Sequence, residues 1–526
     1  MNKFKKILCL ALGAMTAVSL SACGPMIRGG GGGEEPDDPG TGGGSIKIHY
    51  TAGGFGKEAY NKLAADYKAL TGVSVTWVPS YSTGEIQSLL ASGQEKNDIV
   101  LPLLNMYQAQ DAHMLEDLTD VYEATYTGET LAVKDKINKT LYEYIEARDG
   151  KRYQMFGNDS VSAFCYNADT LDAAFGAGNW VLPRTTDELF EMGDALKQRG
   201  YYTFSASVGI NYNWDYMGTV WWAQYDGLES FNNFYYGKYY DEATDEWKKG
   251  VEINDTAGRE ESLNVMSRMM SSRNGYMHAS ANRMNFDDAQ AAFLGNGYSS
   301  DKKKCAFMVN GDWLENEMAS WLLANPQNIG MMRAPVISSI VNKLDTVNTD
   351  AKLKEVVAAV DKGETSVAGV SEADFETVRV ARLMGYTATP NYPIGIPANR
   401  PASKKKLAKD FLVYLYSDRA QKVLATEWQG LTYPTNYVPD DDMISDFVKS
   451  RREAFGNDMI PVFPRNASPM AYRGGLSEMS GVSGPDKTLW NGTSASSILS
   501  TVKTNLEHNW DVYLRAEETS TNSSTN

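Results

Sequence analysis

The sequence is poor in the residues that build disulfide frameworks and zinc sites. It has four Cys and four His in 526 residues, too few for a disulfide scaffold or a His-rich zinc centre. The motifs CxxC, HExxH, GxSxG and GxxxxGK[ST] do not occur, so no thiol redox centre, zinc peptidase, serine hydrolase or P-loop is indicated. Basic residues are also in deficit, 50 against 66 acidic ones, giving a formal charge of −16. This balance argues against nucleic acid as a partner.

Long apolar runs are missing except for one short run near the start. Ile7–Val18 is almost wholly apolar, follows three Lys, and is too short to span a bilayer. Leu20–Cys23 comes next and resembles a bacterial lipobox, in which the Cys receives a lipid and becomes the new N-terminus. We therefore expect residues 1–22 to be a lipoprotein signal peptide and Cys23 to anchor the protein to the outer face of the cell membrane. A plain secretory signal that happens to contain Cys is the alternative.

The segments at the two ends of the mature chain are predicted to be unstructured. Residues 23–44 are rich in Gly and acidic residues and have no apolar face to bury, which predicts a flexible tether. Residues 516–526 are rich in Ser, Thr and Asn and are predicted to be a disordered tail. The remaining body has ordinary globular composition, with 42% apolar and 22% charged residues.

The first part of the body alternates between strand and helix patterns. Strands are predicted at Ile46–Tyr50, Val73–Val78 and Asp98–Leu101, separated by helical patterns that begin near Ala59 and Glu85. This alternation predicts an α/β fold with a parallel sheet. Ligands of such sheets bind beyond the carboxyl ends of the strands. The candidate ligand-binding residues at that rim are Phe55, Tyr81, Glu85 and Asn105.

Several further segments resemble segments of one known protein family. They are Asp98–Val100 with Leu115–Leu118, Tyr153–Phe156, Phe164–Asn167, Trp180–Leu189, Asn310–Trp313, Ala334-Pro335, Ile394–Pro397, Lys406–Gln421 and Gly430–Pro434. The family is the bacterial extracellular solute-binding proteins (family 1) of ABC importers, in particular the sugar-binding, maltose-binding-protein-like group. The resemblance extends from about Ile46 to Arg515, and Met114 stands where the family often has Gly.

The resemblance implies a periplasmic-binding-protein-like type II fold, with two α/β lobes and a ligand cleft and hinge between them. Lobe 1 is expected to comprise residues 45–157 and 388–417. Lobe 2 is expected to comprise residues 158–387 and 418–515, with insertions at about 337–387 and 466–486. The chain is expected to cross between the lobes near Gln154–Ser160 and Gly385–Tyr392.

Aromatic residues are concentrated in one part of the predicted second lobe. Tyr201–Trp247 holds 16 aromatics in 47 residues, against 11% of the whole chain. Trp and Tyr can cover the apolar face of a sugar ring while neighbouring polar side chains bind its hydroxyls. Tyr212-Asn213-Trp214-Asp215 supplies both kinds within four positions. These four residues are candidates for sugar binding, whereas Trp221, Trp222 and Tyr239 are expected to pack the core.

The resemblance adds candidates outside that segment. Trp313 matches the family's G-x-W aromatic, which stacks on the ligand in sugar-binding members, and Asp312 precedes it. The other candidates flank the predicted crossings or lie in the C-terminal region: Asn158, Asp159, Trp428, Tyr433, Tyr472 and Arg473.

The sequence thus predicts a non-enzymatic, monomeric binding protein without cofactor or metal. It would capture a sugar or oligosaccharide and deliver it to the permease subunits of an ABC importer. Two alternatives stay open: a binding protein for a peptide or polyamine, the latter using Asp215, Asp226 and Asp312, and a surface glycoside hydrolase. Whether Cys165 and Cys305 pair also stays open.

Overall fold

The computed structural model describes residues 44–51, 57–80, 82, 84–295, 303–456 and 458–523. The predicted signal peptide, nearly all of the tether, and the candidates Cys23, Phe55 and Tyr81 lie outside these residues.

Thirteen strands and twenty-two helices are found in the described residues. The strands are β1 Ser45–Thr51, β2 Ser74–Ser80, β3 Ile99–Leu101, β4 Met155–Phe156, β5 Val161–Asn167, β6 Tyr202–Ser205, β7 Lys238–Asp241, β8 Glu246–Lys249, β9 Cys305–Gly311, β10 Ile329–Met332, β11 Met384–Thr387, β12 Pro393–Ile394 and β13 Ile460–Val462. The helices are α1 Glu58–Thr71, α2 Glu85–Ala91, α3 Tyr107–Asp111, α4 Thr119–Glu123, α5 Val133–Lys136, α6 Lys139–Tyr144, α7 Ala168–Phe175, α8 Thr186–Gln198, α9 Thr219–Asp226, α10 Leu228–Phe234, α11 Ala257–Met270, α12 Phe286–Phe293, α13 Leu314–Glu317, α14 Ala319–Ala324, α15 Asp350–Asp361, α16 Glu372–Leu383, α17 Ala402–Leu415, α18 Asp418–Glu427, α19 Asp446–Ala454, α20 Pro469–Tyr472, α21 Pro485–Trp490 and α22 Ala495–Ser523.

The first sheet is the parallel one that the sequence predicts. Its order is β2-β1-β3, and β1 pairs parallel with both neighbours. Helix α1 connects β1 to β2 and buries Ala59, Leu63 and Tyr67. It ends at Gly72, whose positive φ of 77° lets its N–H donate to the Lys68 carbonyl at 2.8 Å. We call this sheet, helices α1–α6 and the helices that pack on them the first lobe.

The second sheet is larger and mixed. Its order is β13-β11-β5-β9-β6, and β10 also pairs with β5. Strand β5 runs antiparallel to β9, β10 and β11, whereas β6 is parallel to β9. We call this sheet and the helices around it the second lobe. Its core contains Trp221 and Trp222, both fully buried as expected, and Tyr239 is half-buried.

Two short strands pair where the chain passes between the lobes: β4 lies within the predicted crossing Gln154–Ser160, and β12 directly follows the predicted crossing Gly385–Tyr392. β4 pairs antiparallel with β12, joining Phe156 to Pro393 in register. The Tyr416 hydroxyl donates to the Phe156 carbonyl at 2.6 Å and accepts from the Phe156 N–H at 2.9 Å. The crossing chains are therefore held together by main-chain and side-chain hydrogen bonds.

Two boundaries differ from the sequence-based division. Helix α18, expected in the second lobe, packs instead on α1 of the first, where Arg419 pairs with Asp66 at 2.7 Å. The predicted disordered tail begins at 516, yet helix α22 continues to Ser523 and its Glu517 accepts a hydrogen bond from Lys249. Both differences arise from partners that are distant in sequence.

Two further features concern membranes and cysteines. Within the described ranges no helix is long and apolar enough to cross a membrane. Cys165 and Cys305 are buried and are not joined in a disulfide. Cys165 lies opposite Met308 in the β5–β9 ladder, three positions from Cys305, which accounts for the missing bond.

Candidate ligand-binding site between the lobes

A row of aromatic rings lies in the second lobe, next to the segments in which the chain crosses between the lobes. Trp313 meets Tyr216 edge to face, with ring centroids 6.4 Å apart, and Tyr216 lies 4.8 Å from Tyr386. Tyr392 follows in the crossing segment, and burial, aided by the nearby Tyr216 hydroxyl, raises its pKa. We call Trp313, Tyr216, Tyr386 and Tyr392 the aromatic row. Tyr216 and Tyr392 are only half-buried, so part of this ring surface is accessible.

Trp313 is positioned by the glycine two residues before it. A Cβ on Gly311 would lie 2.2 Å from the Trp313 ring, so only Gly allows the ring to lie back across the end of β9. The Trp313 side chain is 8% exposed. The predicted G-x-W aromatic thus lies almost fully buried at the end of β9.

The first lobe contributes a second group of rings. Tyr60 stacks on Trp77 with centroids 4.2 Å apart and an interplanar angle of 19°. Trp428 meets Tyr60 edge to face at 5.9 Å, and Tyr433 lies 6.2 Å from Trp428. Trp428 and Tyr433 are almost completely buried, so these two candidates support the cluster from beneath, while the half-buried Trp77 reaches the surface.

The two lobes touch directly through helices α3 and α20. The Tyr472 hydroxyl donates to the Asp111 carboxylate, which also pairs with the Arg473 guanidinium at 2.9 Å. Gln108 Nε2 donates to the Tyr472 carbonyl at 2.8 Å, and the Tyr107 and Tyr472 rings lie 5.8 Å apart. The candidates Tyr472 and Arg473 therefore fasten the second lobe to the first. We call these contacts the interlobe clamp.

The candidate Asp312 is fully buried and takes part in a network of ion pairs. Its Oδ2 accepts from the Val161 N–H at 3.0 Å and lies 3.3 Å from Arg451 Nε. Arg451 also donates to Asp159 Oδ2 at 2.8 Å. Burial raises the pKa of Asp312 to about 7, although the Arg451 guanidinium acts in the opposite direction. Asp159 and Asp312 are thus already engaged by a cation of the protein.

A cavity of about 540 Å³ lies between the lobes beside this network. It is lined by Lys136 and Asn138 of the first lobe and by Asp159, Arg451 and Phe455 among others, and no member of the aromatic row lines it. Asp159 thus lines this cavity, whereas Trp313 does not.

The aromatic-polar run at 212–215 lies mostly in the core. Trp214 is 0% exposed, because Gly218 admits its ring: a Cβ there would lie 2.4 Å from it. Tyr212 is buried and its hydroxyl accepts from the Ser207 N–H at 3.1 Å, and Asn213 donates to buried Asp486 at 2.8 Å. This structure therefore places these three candidates inside the second lobe instead of on a ligand-facing surface.

Asp215 has a different environment. It is half-buried, and burial together with the nearby carboxylates of Glu478 and Asp486 raises its pKa well above its ordinary value. Asp226 accepts from Trp222 Nε1 and the Gly258 N–H, both at 2.8 Å. Asp312 pairs with Arg451, and Asp226 accepts hydrogen bonds from Trp222 and Gly258. Two of the three acids considered for a polyamine are therefore already engaged by groups of the protein.

The remaining candidates lie around the crossing and the first sheet. Asn158 is buried beside β4, and no described residue donates to its Oδ1. Asn105 is half-buried in the loop after β3, and Glu85 is exposed at the start of α2, where it accepts from the Ser80 hydroxyl. Asn105 follows β3, at the end of the strand as predicted, whereas Asn158 lies between β4 and β5. The part of the chain that the structure describes holds no group of three His, Cys, Asp or Glu suited to a metal ion.

Sequence reasoning missed Tyr216, Tyr386, Tyr392 and Asp111. Tyr216 lies within the aromatic-rich segment, and its ring approaches that of Tyr212 to 6.1 Å, as helical spacing would suggest. A π-helical turn over Trp214–Gly218 buries Trp214 and leaves Tyr216 half-buried. The others carry no local signal, because each gains its role from a partner far along the chain.

Comparisons with known proteins identify the family of the sequence and solved structures that share its fold. The sequence matches the family "Bacterial extracellular solute-binding protein" over residues 56–422. Among solved structures, a chitin oligosaccharide binding protein aligns with TM-score 0.57 and 15% identity, covering 90% of this chain and 99% of its own. SBP RafE in complex with raffinose aligns with TM-score 0.59 and 13% identity, covering 88% and 99%. No curated protein matches the sequence.

The match to the family covers more than half of the chain, and the two structural relatives share its α/β fold over nearly their whole length. Membership was expected from the segments around Phe164–Leu189 and Asn310–Trp313, and it is confirmed. The family is one of extracellular binding proteins, not of enzymes. The chain belongs to the bacterial extracellular solute-binding proteins.

Proposed function

We propose that this protein captures an oligosaccharide between its lobes and delivers it to the permease subunits of an ABC importer, while a lipid on Cys23 holds it at the membrane. The observation that carries the proposal is the aromatic row. Tyr216 and Tyr392 are half-buried and leave part of their ring surface accessible, and Trp313 packs edge to face on Tyr216. A sugar ring can cover such an aromatic surface.

The names of the structural relatives support the same ligand class, since one binds chitin oligosaccharide and the other raffinose. The crossing strands β4 and β12 supply a hinge, and the interlobe clamp supplies contacts that a closed form can gain. A sugar that touches both lobes would stabilise the closed form, which the permease would then recognise.

The test is a thermal-shift screen of neutral and charged mono- and oligosaccharides, followed by calorimetry. A ligand at 100 times its Kd adds about 2.7 kcal/mol to the free energy of unfolding. Peptides and polyamines are screened in parallel. A response confined to those compounds would contradict the sugar assignment.

Trp313→Ala, with Trp247→Ala as its matched control, tests the site. Trp247 lies in the β7–β8 hairpin, where it packs on Tyr240 at 5.5 Å. We expect W313A to weaken sugar binding by about 10-fold or more, since stacking of a ring on an aromatic side chain contributes roughly 1–3 kcal/mol to binding. W247A should bind as the wild type does. Equal affinity of W313A and wild type would remove the aromatic row as the binding surface.

The lipid anchor is tested separately by Cys23→Ala. The variant should be released from the membrane fraction, and mass spectrometry of the wild-type N-terminus should show the acyl modification. Wild-type protein without acyl groups would exclude the anchor and leave the sugar proposal intact.

A further inference from the structure

One arginine between the lobes is buried without a carboxylate partner. Arg465 follows β13 and is 7% exposed. Its Nε donates to Asn232 Oδ1 at 2.7 Å, and its guanidinium lies 3.9 Å from the centre of the Phe463 ring. On the other side it lies 5.3 Å from the ring of Tyr144, which belongs to the first lobe. Arg465 thus stands in an aromatic enclosure built by both lobes.

Three other buried arginines pair with acids, whereas Arg259, which is fully buried, donates to Asn254 Oδ1 and to the Glu478 carbonyl. Arg451 pairs with Asp159, Arg382 with Asp361, and Arg152 with Glu146, at 2.7–2.8 Å. For Arg465, no carboxylate of the described residues lies within ion-pair distance, and only its Nε is hydrogen-bonded to them. The groups that act on its charge are tyrosine hydroxyls, and burial lowers its pKa. A guanidinium that is buried without a counter-charge is costly unless an anion reaches it.

One further arginine lies near Arg465. Tyr236 lies close enough to both Arg465 and Arg148 for their charges to lower its pKa against the effect of burial.

The rings around Arg465 connect it to the interlobe clamp. The Tyr107 and Tyr144 rings lie 6.3 Å apart, and Tyr107 in turn packs on Tyr472 of the interlobe clamp. A guanidinium presents two parallel N–H donors to a carboxylate or sulfate. The surrounding aromatic rings can accommodate the sugar ring that carries this anionic group.

We propose that Arg465 binds an anionic group of the ligand, so that the protein selects acidic sugars: a uronic acid through its carboxylate, or a sugar sulfate ester. This inference rests on the proposed sugar-binding function and narrows its ligand class.

The experiment uses pairs of ligands that differ only in charge. Trigalacturonate is compared with its full methyl ester, and a sulfated galactose trisaccharide with its desulfated form, by calorimetry on the full-length mature protein. We expect the acidic member of at least one pair to bind about 10- to 100-fold more tightly, the range for a hydrogen bond to a charged group. The pair that responds identifies the anion.

Variants then assign the effect to Arg465. Arg465→Gln should abolish the difference between the acidic and neutral members, and Arg465→Lys should restore part of it. The control is Arg379→Gln, a residue of α16 whose guanidinium pairs with Glu376 far from the site. If Arg465 served only to hold the lobes together, R465Q would weaken both members of a pair equally, which would overturn the inference.

The outcomes distinguish a failure of the acidic-ligand inference from a failure of the sugar-binding proposal. Neutral sugars binding as tightly as acidic ones, or neutral sugars alone binding, would overturn the acidic-ligand assignment and leave the sugar-binding proposal standing. If no carbohydrate of the full screen binds, both fail.

Discussion

Replacing Asp111 by Asn removes the charge at the centre of the interlobe clamp while preserving the shape of the side chain. Asp111 accepts from the Tyr472 hydroxyl and pairs with Arg473, so one carboxylate serves two groups of the opposite lobe. Its side chain is 17% exposed and that of Arg473 is 27% exposed, so solvent screens the pair only in part. These contacts exist only while α3 and α20 touch, and their loss therefore disfavours the closed form alone.

The magnitude follows from the two contacts. Hydrogen bonds to charged groups contribute about 1.5–3 kcal/mol and exposed ion pairs about 0–1 kcal/mol. Because the Gln108 contact remains, we take about 2 kcal/mol as the loss for D111N. A loss of about 2 kcal/mol from the closed form raises the Kd about 30-fold.

The assay combines calorimetry with the best sugar of the screen and small-angle scattering of the ligand-free protein. D111N should bind more weakly and should have a larger radius of gyration. The control is Asp120→Asn, an exposed acid of the same lobe whose partner Lys409 also lies in the first lobe. An unchanged Kd together with an unchanged scattering curve for D111N would refute a role of the clamp in closure.

Two further predictions concern stability. Burial raises the pKa of Asp486 to about 7, so between about pH 4 and 7 the folded state keeps a proton that the unfolded state releases, and stability falls as pH rises by up to about 1.4 kcal/mol per unit. Because Asp312 contributes a slope of the same sign, Asp486→Asn should have a shallower slope than the wild type in urea unfolding at pH 4.5–7.5, and parallel slopes for both proteins would contradict the prediction. Gly430 has φ = 107° and its missing Cβ would lie 2.1 Å from Ile444, so Gly430→Ala should cost about 2–4 kcal/mol. Gly363 has φ = 75° and open space around it, so Gly363→Ala should lose only the stability that the strained backbone costs. Equal losses of unfolding free energy for the two variants would show that the clash with Ile444 is absent.

Much of the fold could be predicted from local patterns. Periodicity and turn residues predicted β1, α1 and β2, because each depends on neighbouring residues and on one apolar face. Helix α1 ends at Gly72 and α8 begins after Thr185 through equally local contacts, and the Thr185 hydroxyl accepts from the Glu188 N–H at 3.3 Å. The end of α22 was missed because its contact with Lys249 is not local.

The site could be predicted only where a local geometry carries it. Gly311 and Trp313 are two residues apart, and the missing Cβ of one creates the space for the ring of the other. That Trp313 stacks on a ligand stays a prediction. Trp214 was misplaced because an aromatic next to polar residues looks the same in the core as in a cleft. Its burial depends on Gly218 and on packing that composition does not encode.

The sequence by itself determined the α/β class, the family and the position of Trp313, because these follow from short-range patterns. Only the tertiary structure decided which residues meet between the lobes. Asp111 and Tyr472 are 361 positions apart, and Arg465 reaches Tyr144 across the two lobes. Four Cys and four His left the chain without the familiar means of building a site. The proposed site uses tyrosines, tryptophans and arginines instead. Which of them can contact a ligand depends on where folding places them.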